Sequence, residues 1–303
     1  MAAVKLAQLG EGNLTMKKII SAVTAATLIC AGALPFTSSA AETPGFSMKG
    51  LESQLAESAE NGTTIYINRN LLKDDASNTI NAEVYVSDPD QKAWYVSPKW
   101  RCDNTQLKLT NILDPKDPEN VAFAYAETDE DGNFIKGSYS TLASLDESRN
   151  YMGFTCLYST FTSSTPLVPY GESSDSYPLT TFDIEIDPDI PDGDYSVYFL
   201  SEEDEIGQRP SEINCYTDEG QKSVPITLTN LSVVVYTPND VDGNGEVSSA
   251  DASAALAAYA KISSGTDSGL KKYQLRAADY DSDGDVTSKD ASSILQYYAK
   301  IST

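Results

Sequence analysis

The 303-residue chain contains no histidine. Without imidazole there is no Ser–His or Cys–His nucleophile pair and no histidine-bound metal centre. Tryptophan is nearly absent too: Trp94 and Trp100 are the only two, thin provision for a surface that stacks sugar rings. Basic residues are scarce, 21 Lys and Arg against 45 Asp and Glu, and the resulting net charge of −24 argues against nucleic acid or an anionic membrane as partner. Four cysteines (Cys30, Cys102, Cys156, Cys215) are too few for a disulfide scaffold. Beyond Phe36 there is no second long apolar run, so no direct membrane insertion is expected.

What is present begins with an export signal. Met16 starts Lys17-Lys18, an apolar run from Ile19 to Phe36, and Thr37-Ser38-Ser39-Ala40-Ala41. That order of basic, apolar and small residues reads as a secretory signal peptide cleaved after Ala40 or Ala41, with residues 1–15 an upstream extension. The expectation is a secreted, extracellular protein, attached to a cell surface only through partners. Cleavage removes Cys30 and leaves three cysteines, which permit at most one internal disulfide.

Near the other end, DVDGNGEVSSAD (Asp240–Asp251) and DYDSDGDVTSKD (Asp279–Asp290) repeat one pattern thirty-nine residues apart. Each places carboxylate or amide oxygens at positions 1, 3 and 5, glycine at 6, a hydroxyl at 9 and an acid at 12. Calcium takes six to eight oxygen ligands at roughly 2.3–2.6 Å, which demands closely spaced donors on a sharply turning backbone. Gly245 and Gly284 permit that turn because they lack Cβ. The pattern is the EF-hand loop with Asp251 and Asp290 in place of the longer Glu at position 12. Val247–Lys261 and Val286–Lys300 are predicted as matching amphipathic helices, with Leu256/Tyr259 and Leu295/Tyr298 as the apolar stripe of each. Leu270–Ala278 suits a helix leading into the second loop, whereas Tyr236-Thr237-Pro238-Asn239 cannot form one before the first.

A duplicated loop–helix unit with Asp at position 12 and no first helix resembles a type I dockerin, the calcium-dependent plug of cellulosome components, over Asn239–Ser302. The resemblance implies two Ca2+ ions. Side chains of Asp240, Asp242, Asn244 and Asp251, and of Asp279, Asp281, Asp283 and Asp290, would hold them. Glu246 and Asp285 would add backbone carbonyls, and Ser248 and Thr287 would act through water. It also implies a cohesin of a larger scaffoldin as partner, met by Ser249, Ala250, Ala257, Ala258 and Lys261 or by Ser288, Lys289, Gln296, Tyr297 and Lys300. The halves diverge at Ala250 against Lys289 and at Ala257-Ala258 against Gln296-Tyr297, so one orientation is expected to be preferred. Lys261 and Lys300 also suit helix C-termini, where cations are favoured.

Between signal and loops, Glu42–Gly62 is expected as a helical or disordered lead-in, followed by short β-favouring runs split by turn clusters. Strands are predicted near 63–68, 81–87, 93–101, 106–111, 121–127, 151–161, 179–187, 195–200, 213–216 and 223–235, a pattern of a β-sandwich or jelly roll. The stretches Leu179–Leu200, with its Pro191-Asp192-Gly193 turn, and Ala82–Leu113 resemble cohesin strands. The expected fold class is therefore mainly β: a cohesin-like jelly-roll β-sandwich (63–236) followed by a small all-α dockerin (237–303) with two EF-hand-like calcium loops. The cohesin likeness implies a non-catalytic adaptor scaffoldin of a rumen-type cellulosome, whose sandwich receives dockerin-bearing enzymes or other subunits. Two alternatives remain. Trp94, Tyr95 and Trp100 could form the platform of a carbohydrate-binding module, although aromatics in alternating runs are ordinary core. A small glycoside hydrolase needs two carboxylates flanking the scissile bond; Glu83, Glu127, Asp183 and Glu185 qualify, but in Thr181–Asp187 the acids alternate with apolar residues as on a solvated sheet face.

Overall fold

The computed structural model describes residues 43–74, 77–87, 93–114, 117–121, 124–126, 139–158, 178–205, 207–217 and 219–303. The expected signal peptide, Glu127 and most turns between the early strands lie outside them. Residues 41–303 form one compact unit. Its strands are β1 (Gly45–Gly50), β2 (Ala56–Ala59), β3 (Thr64–Asn68), β4 (Thr79–Ser87), β5 (Ala93–Ser97), β6 (Lys99–Cys102), β7 (Leu107–Asp114), β8 (Asp117–Val121), β9 (Ala124–Ala126), β10 (Tyr139–Asp146), β11 (Tyr151–Tyr158), β12 (Thr180–Ile186), β13 (Gly193–Phe199), β14 (Glu212–Thr217), β15 (Gly220–Ser223), β16 (Thr227–Thr229) and β17 (Leu231–Tyr236). The helices α1 (Ser249–Ser263), α2 (Lys272–Ala278) and α3 (Ser288–Ile301) close the chain.

One sheet runs β16-β1-β4-β12-β7-β8; the other runs β15-β14-β5-β11-β6-β13-β17-β3-β2, with β10 and β9 branching from β11. Inward-facing residues of both sheets build one core, in which Trp100 lies 5.3 Å from the Phe182 ring and 6.4 Å from the Phe199 ring. Apolar side chains at every second position, as in Ile80, Ala82, Val84 and Val86, make this burial possible.

Three departures from the sequence reading have local causes. The stretch expected as a helical or disordered lead-in contains β1, paired along its whole length with β4, and β2; Phe46 and Met48 are core residues. The single run predicted over 93–101 is divided at Pro98, which lacks a ladder N–H; its carbonyl still accepts from Phe154 N at 3.0 Å. The closing run divides at Asn230, sending β16 parallel to β1 in one sheet and β17 parallel to β3 in the other. The Asn230 side chain fills the break by accepting from Phe199 N at 3.0 Å.

α1 and α3 pack on each other through Ala252, Ala255, Ala291 and Ile294, with Val241 and Ala278 completing a second, small core. The stripe chosen from sequence is therefore displaced: Leu256 and Leu295 are 50% and 48% exposed, and Ala255 and Ile294, one position earlier, face inward. Among the described residues no helix is long and apolar enough to cross a membrane.

Candidate metal-binding loops and docking surface

Each loop is folded by its own polar side chains. Asp240 accepts from the backbone N–H groups of Gly243 (3.0 Å), Asn244 (3.1 Å) and Gly245 (2.7 Å). Asp279 does the same for Asp283 (3.1 Å) and Gly284 (3.0 Å). Gly245 and Gly284 adopt φ of +90° and +95°, the left-handed turn expected at position 6. Asn244 and Asp283 each accept from the amide two residues on, at 2.8 and 3.0 Å, which curls the loop inward.

The loops end by starting helices. Ser248 and Thr287 are the N-caps of α1 and α3, and each forms a reciprocal box with the acid three residues later: Ser248 N donates to Asp251 at 2.7 Å and Thr287 N to Asp290 at 2.9 Å. The same acids reach back across their loops, Asp251 accepting from Val241 N (2.8 Å) and Asp290 from Tyr280 N (3.0 Å). Both are almost wholly buried.

Carboxylate oxygens of Asp240, Asp242 and Asp251 lie within 4.8 Å of one another, as do those of Asp279, Asp281 and Asp283. Burial raises the Asp240 and Asp279 carboxyls above their ordinary range, despite the amide donors that act the other way. Burial also acts to raise Asp290, but donation from Thr287, Tyr280 and Asp281 together outweighs it and holds that carboxyl low. Every convergent donor is a hard oxygen, so the set suits a hard divalent cation such as calcium. Two cations adjoin the second loop: Lys289 Nζ sits 2.5 Å from Asp281, and Arg276 reaches Asp279 at 3.5 Å. The Lys289–Asp281 pairing, eight positions apart across the loop, was not readable from spacing alone.

The helix faces expected to meet a partner are mostly open. Ser249, Ala250, Ala257 and Lys261, and Ser288, Lys289, Gln296, Tyr297 and Lys300, are exposed. Ala258 is the correction: at 2% exposure it is buried, so its side chain is not open to a partner. The sequence reading did not count Leu256, Ile262, Leu295 or Ile301 among the open positions, yet all four are exposed apolar side chains at equivalent places in the two repeats.

On the sandwich, Trp100 is wholly buried core, so Trp94, Tyr95 and Trp100 do not form one exposed platform. Asp183 is also inside: one carboxylate oxygen takes Asn81 Nδ2 at 2.5 Å, the other Asn111 Nδ2 at 2.9 Å. Asn111 (φ +53°) sits where the β7–β12 register shifts, and the resulting bulge turns its amide toward Asp183. The solvated face expected for this acid is therefore wrong, whereas Glu185 is exposed.

Residues 238–297 match the sequence model of the dockerin type I domain. No curated protein sequence matches the chain. Among solved structures, the chain is similar to the seventh ScaB type I cohesin from Pseudobacteroides cellulosolvens (12% identity, TM-score 0.34, covering 63% of this chain and 93% of that one). It is similar also to a type I cohesin–dockerin complex, Coh-OlpA-Doc918, from Clostridium thermocellum (10%, 0.37, 64% and 99%). A third is a type III cohesin module of the ScaE cell-surface anchoring scaffoldin from Ruminococcus flavefaciens (14%, 0.35, 64% and 87%).

Proposed function

We propose that this chain is a non-catalytic adaptor of an extracellular cellulosome. Its C-terminal dockerin, residues 237–303, docks calcium-dependently onto a cohesin of a larger scaffoldin. Its β-sandwich receives the dockerin of an enzyme or other subunit. The observation that carries the reading is the pair of convergent carboxylate loops, each feeding a capped helix, within the segment that matches the dockerin type I domain. Support for the sandwich half comes from its two-sheet jelly-roll-like layout and the cohesin-like runs in its sequence.

One calcium binds each loop: the first through Asp240, Asp242, Asn244, the Glu246 carbonyl and Asp251, the second through Asp279, Asp281, Asp283, the Asp285 carbonyl and Asp290. Ser248 and Thr287 act through water. The ion supplies charge neutralisation and a fixed loop shape; the chain's own residues do the docking. Exposed Leu256 and Ile262, or their counterparts Leu295 and Ile301, give the docking face an apolar centre beside Lys261 or Lys300. Tethering then raises the local concentration of one subunit beside another, with no bond broken. The signal-like segment before Glu42 would deliver the chain outside the cell.

The test immobilises the full chain, exposes it to secreted proteins of the source organism with calcium or with a chelator, and sequences what is retained. Cohesin-bearing scaffoldins and dockerin-bearing subunits in the calcium arm support both halves of the proposal. Retention of the chain on cellulose or xylan, or release of sugar, would replace the sandwich half. Far-ultraviolet circular dichroism isolates the metal part: helical signal that persists after chelation would refute calcium-dependent folding.

A further inference from the structure

The two loops are alike in sequence but not in their surroundings. α2, which has no counterpart before the first loop, packs on β13 and β17 of the sandwich. Its N-cap residue, Lys271, gives no side-chain cap. Asp194, on β13, supplies one from outside the helix: it accepts from Lys272 N at 3.1 Å and Tyr273 N at 2.9 Å, satisfying two orphan donors.

Toward the other end of α2, the Arg276 side chain is only 9% exposed and touches both modules at once. It donates to Glu57 on β2 at 2.6 Å and to Ser282 within the second loop at 3.0 Å, and it lies 3.5 Å from Asp279, the first residue of that loop. Its guanidinium sits 5.5 Å from the Tyr66 ring and 5.2 Å from the Tyr236 ring, on adjacent strands β3 and β17. A planar cation held by two rings and a carboxylate has little freedom left. At the equivalent place before the first loop stands Thr237, which bonds Asp192 through its backbone N–H at 2.8 Å and its hydroxyl at 3.1 Å.

We propose that the sandwich positions the second calcium loop, with Asp194 and Arg276 as positioning residues, and thereby raises the affinity of this loop for calcium. The inference rests on the calcium reading above. A loop whose first ligand and leading helix are already held loses less conformational freedom on binding, which raises affinity without any new ligand.

The test is calcium titration of the full chain by calorimetry. Asp242→Ala and Asp281→Ala backgrounds assign the two steps, each by disabling one loop. Asp194→Ala and Glu57→Gln alter only the sandwich side, and Arg276→Lys keeps the charge but removes the fork. Each is expected to weaken the second-loop step by roughly tenfold, within the usual range of coupling between sites, and to leave the first-loop step within about twofold. Asp194→Asn, which retains an acceptor oxygen, is expected to recover part of the loss. Hydrogen exchange at the Lys272 and Tyr273 amides should rise in Asp194→Ala while the sandwich core stays protected. Glu57→Gln, on an edge strand, serves if Asp194→Ala does not fold. Second-loop affinity unchanged in folded variants overturns the inference, and so does equal weakening of both steps. A wild-type chain that takes up no calcium overturns the calcium reading itself, a result distinguishable from either.

Discussion

Asn150 shows how much one side chain can hold. It adopts the left-handed conformation (φ +51°) just before β11 and is 8% exposed. Its Oδ1 accepts from Leu109 N at 2.7 Å, and its Nδ2 donates to the carbonyls of Cys102 (2.9 Å) and Leu107 (2.6 Å), tying β6, β7 and β11 together. Asn150→Ala leaves these buried groups unpaired and strains the backbone; a loss of about 2–4 kcal/mol in denaturant unfolding is expected. Asn150→Gly removes the strain but not the unpaired groups, so it should recover only part of the loss. Nothing in the sequence marks this asparagine, because its partners come together only when three strands meet. The loop glycines were readable in advance, because their backbone demand is local. The cysteines belong to this scale as well. Cys102, Cys156 and Cys215 are buried, and burial pushes the Cys156 thiol up from its ordinary 9.0 to about 12. A raised thiol favours the protonated fold: its contribution to stability is complete below pH 9.0 and is lost as pH rises toward about 12. Alkaline unfolding in that window, less marked in Cys156→Ala, and slow thiol labelling at pH 8 are the expected results; fast labelling of the native chain would contradict them.

At the scale of elements, helices α1 and α3 turn some apolar residues toward each other and leave others exposed. Ile294 is wholly buried between α1 and α3, whereas its neighbour Leu295 is 48% exposed. Ile294→Ala should therefore cost about 2–4 kcal/mol of C-terminal stability, a large share for so small a core. Leu295→Ala should change stability by about 0.5 kcal/mol or less, and on the proposed docking face its effect should appear in partner affinity. Thermal unfolding and calorimetric binding separate the two. The sequence reading put Leu256 and Leu295 inside because each lies three residues from a tyrosine, Tyr259 or Tyr298, on one helix face. Close approach of the helices selects alanine for most of the contact. The helix starts were legible, since Ser248 with Asp251 and Thr287 with Asp290 are boxes closed within four residues.

For the whole molecule, β1 decides where the sandwich begins. Gly45 lies so close to Thr227 on β16 that a Cβ there would collide with the threonine side chain and carbonyl, and Phe46 and Met48 fill the core. A chain starting at Thr63, the boundary expected from sequence, lacks β1 and β2. It should yield no cooperative unfolding transition, whereas one starting at Ala41 should; a well-folded product from Thr63 would show that β1 is dispensable.

The sequence alone determined the calcium-type loops, the helices they start, the missing first helix and the mainly β character of the rest. All of these are set by backbone demands and side-chain contacts within about a dozen residues, or by alternation along a single strand. Tertiary structure decided the rest. Asp183 is buried by a bulge on a different strand, the closing run is shared between two sheets, and Ala258 is withdrawn from the proposed docking face. Arg276 joins Glu57, 219 positions away, to the second loop. These outcomes depend on which distant segments meet. A contact of that range has no local signature, because its energy appears only once the chain between has folded.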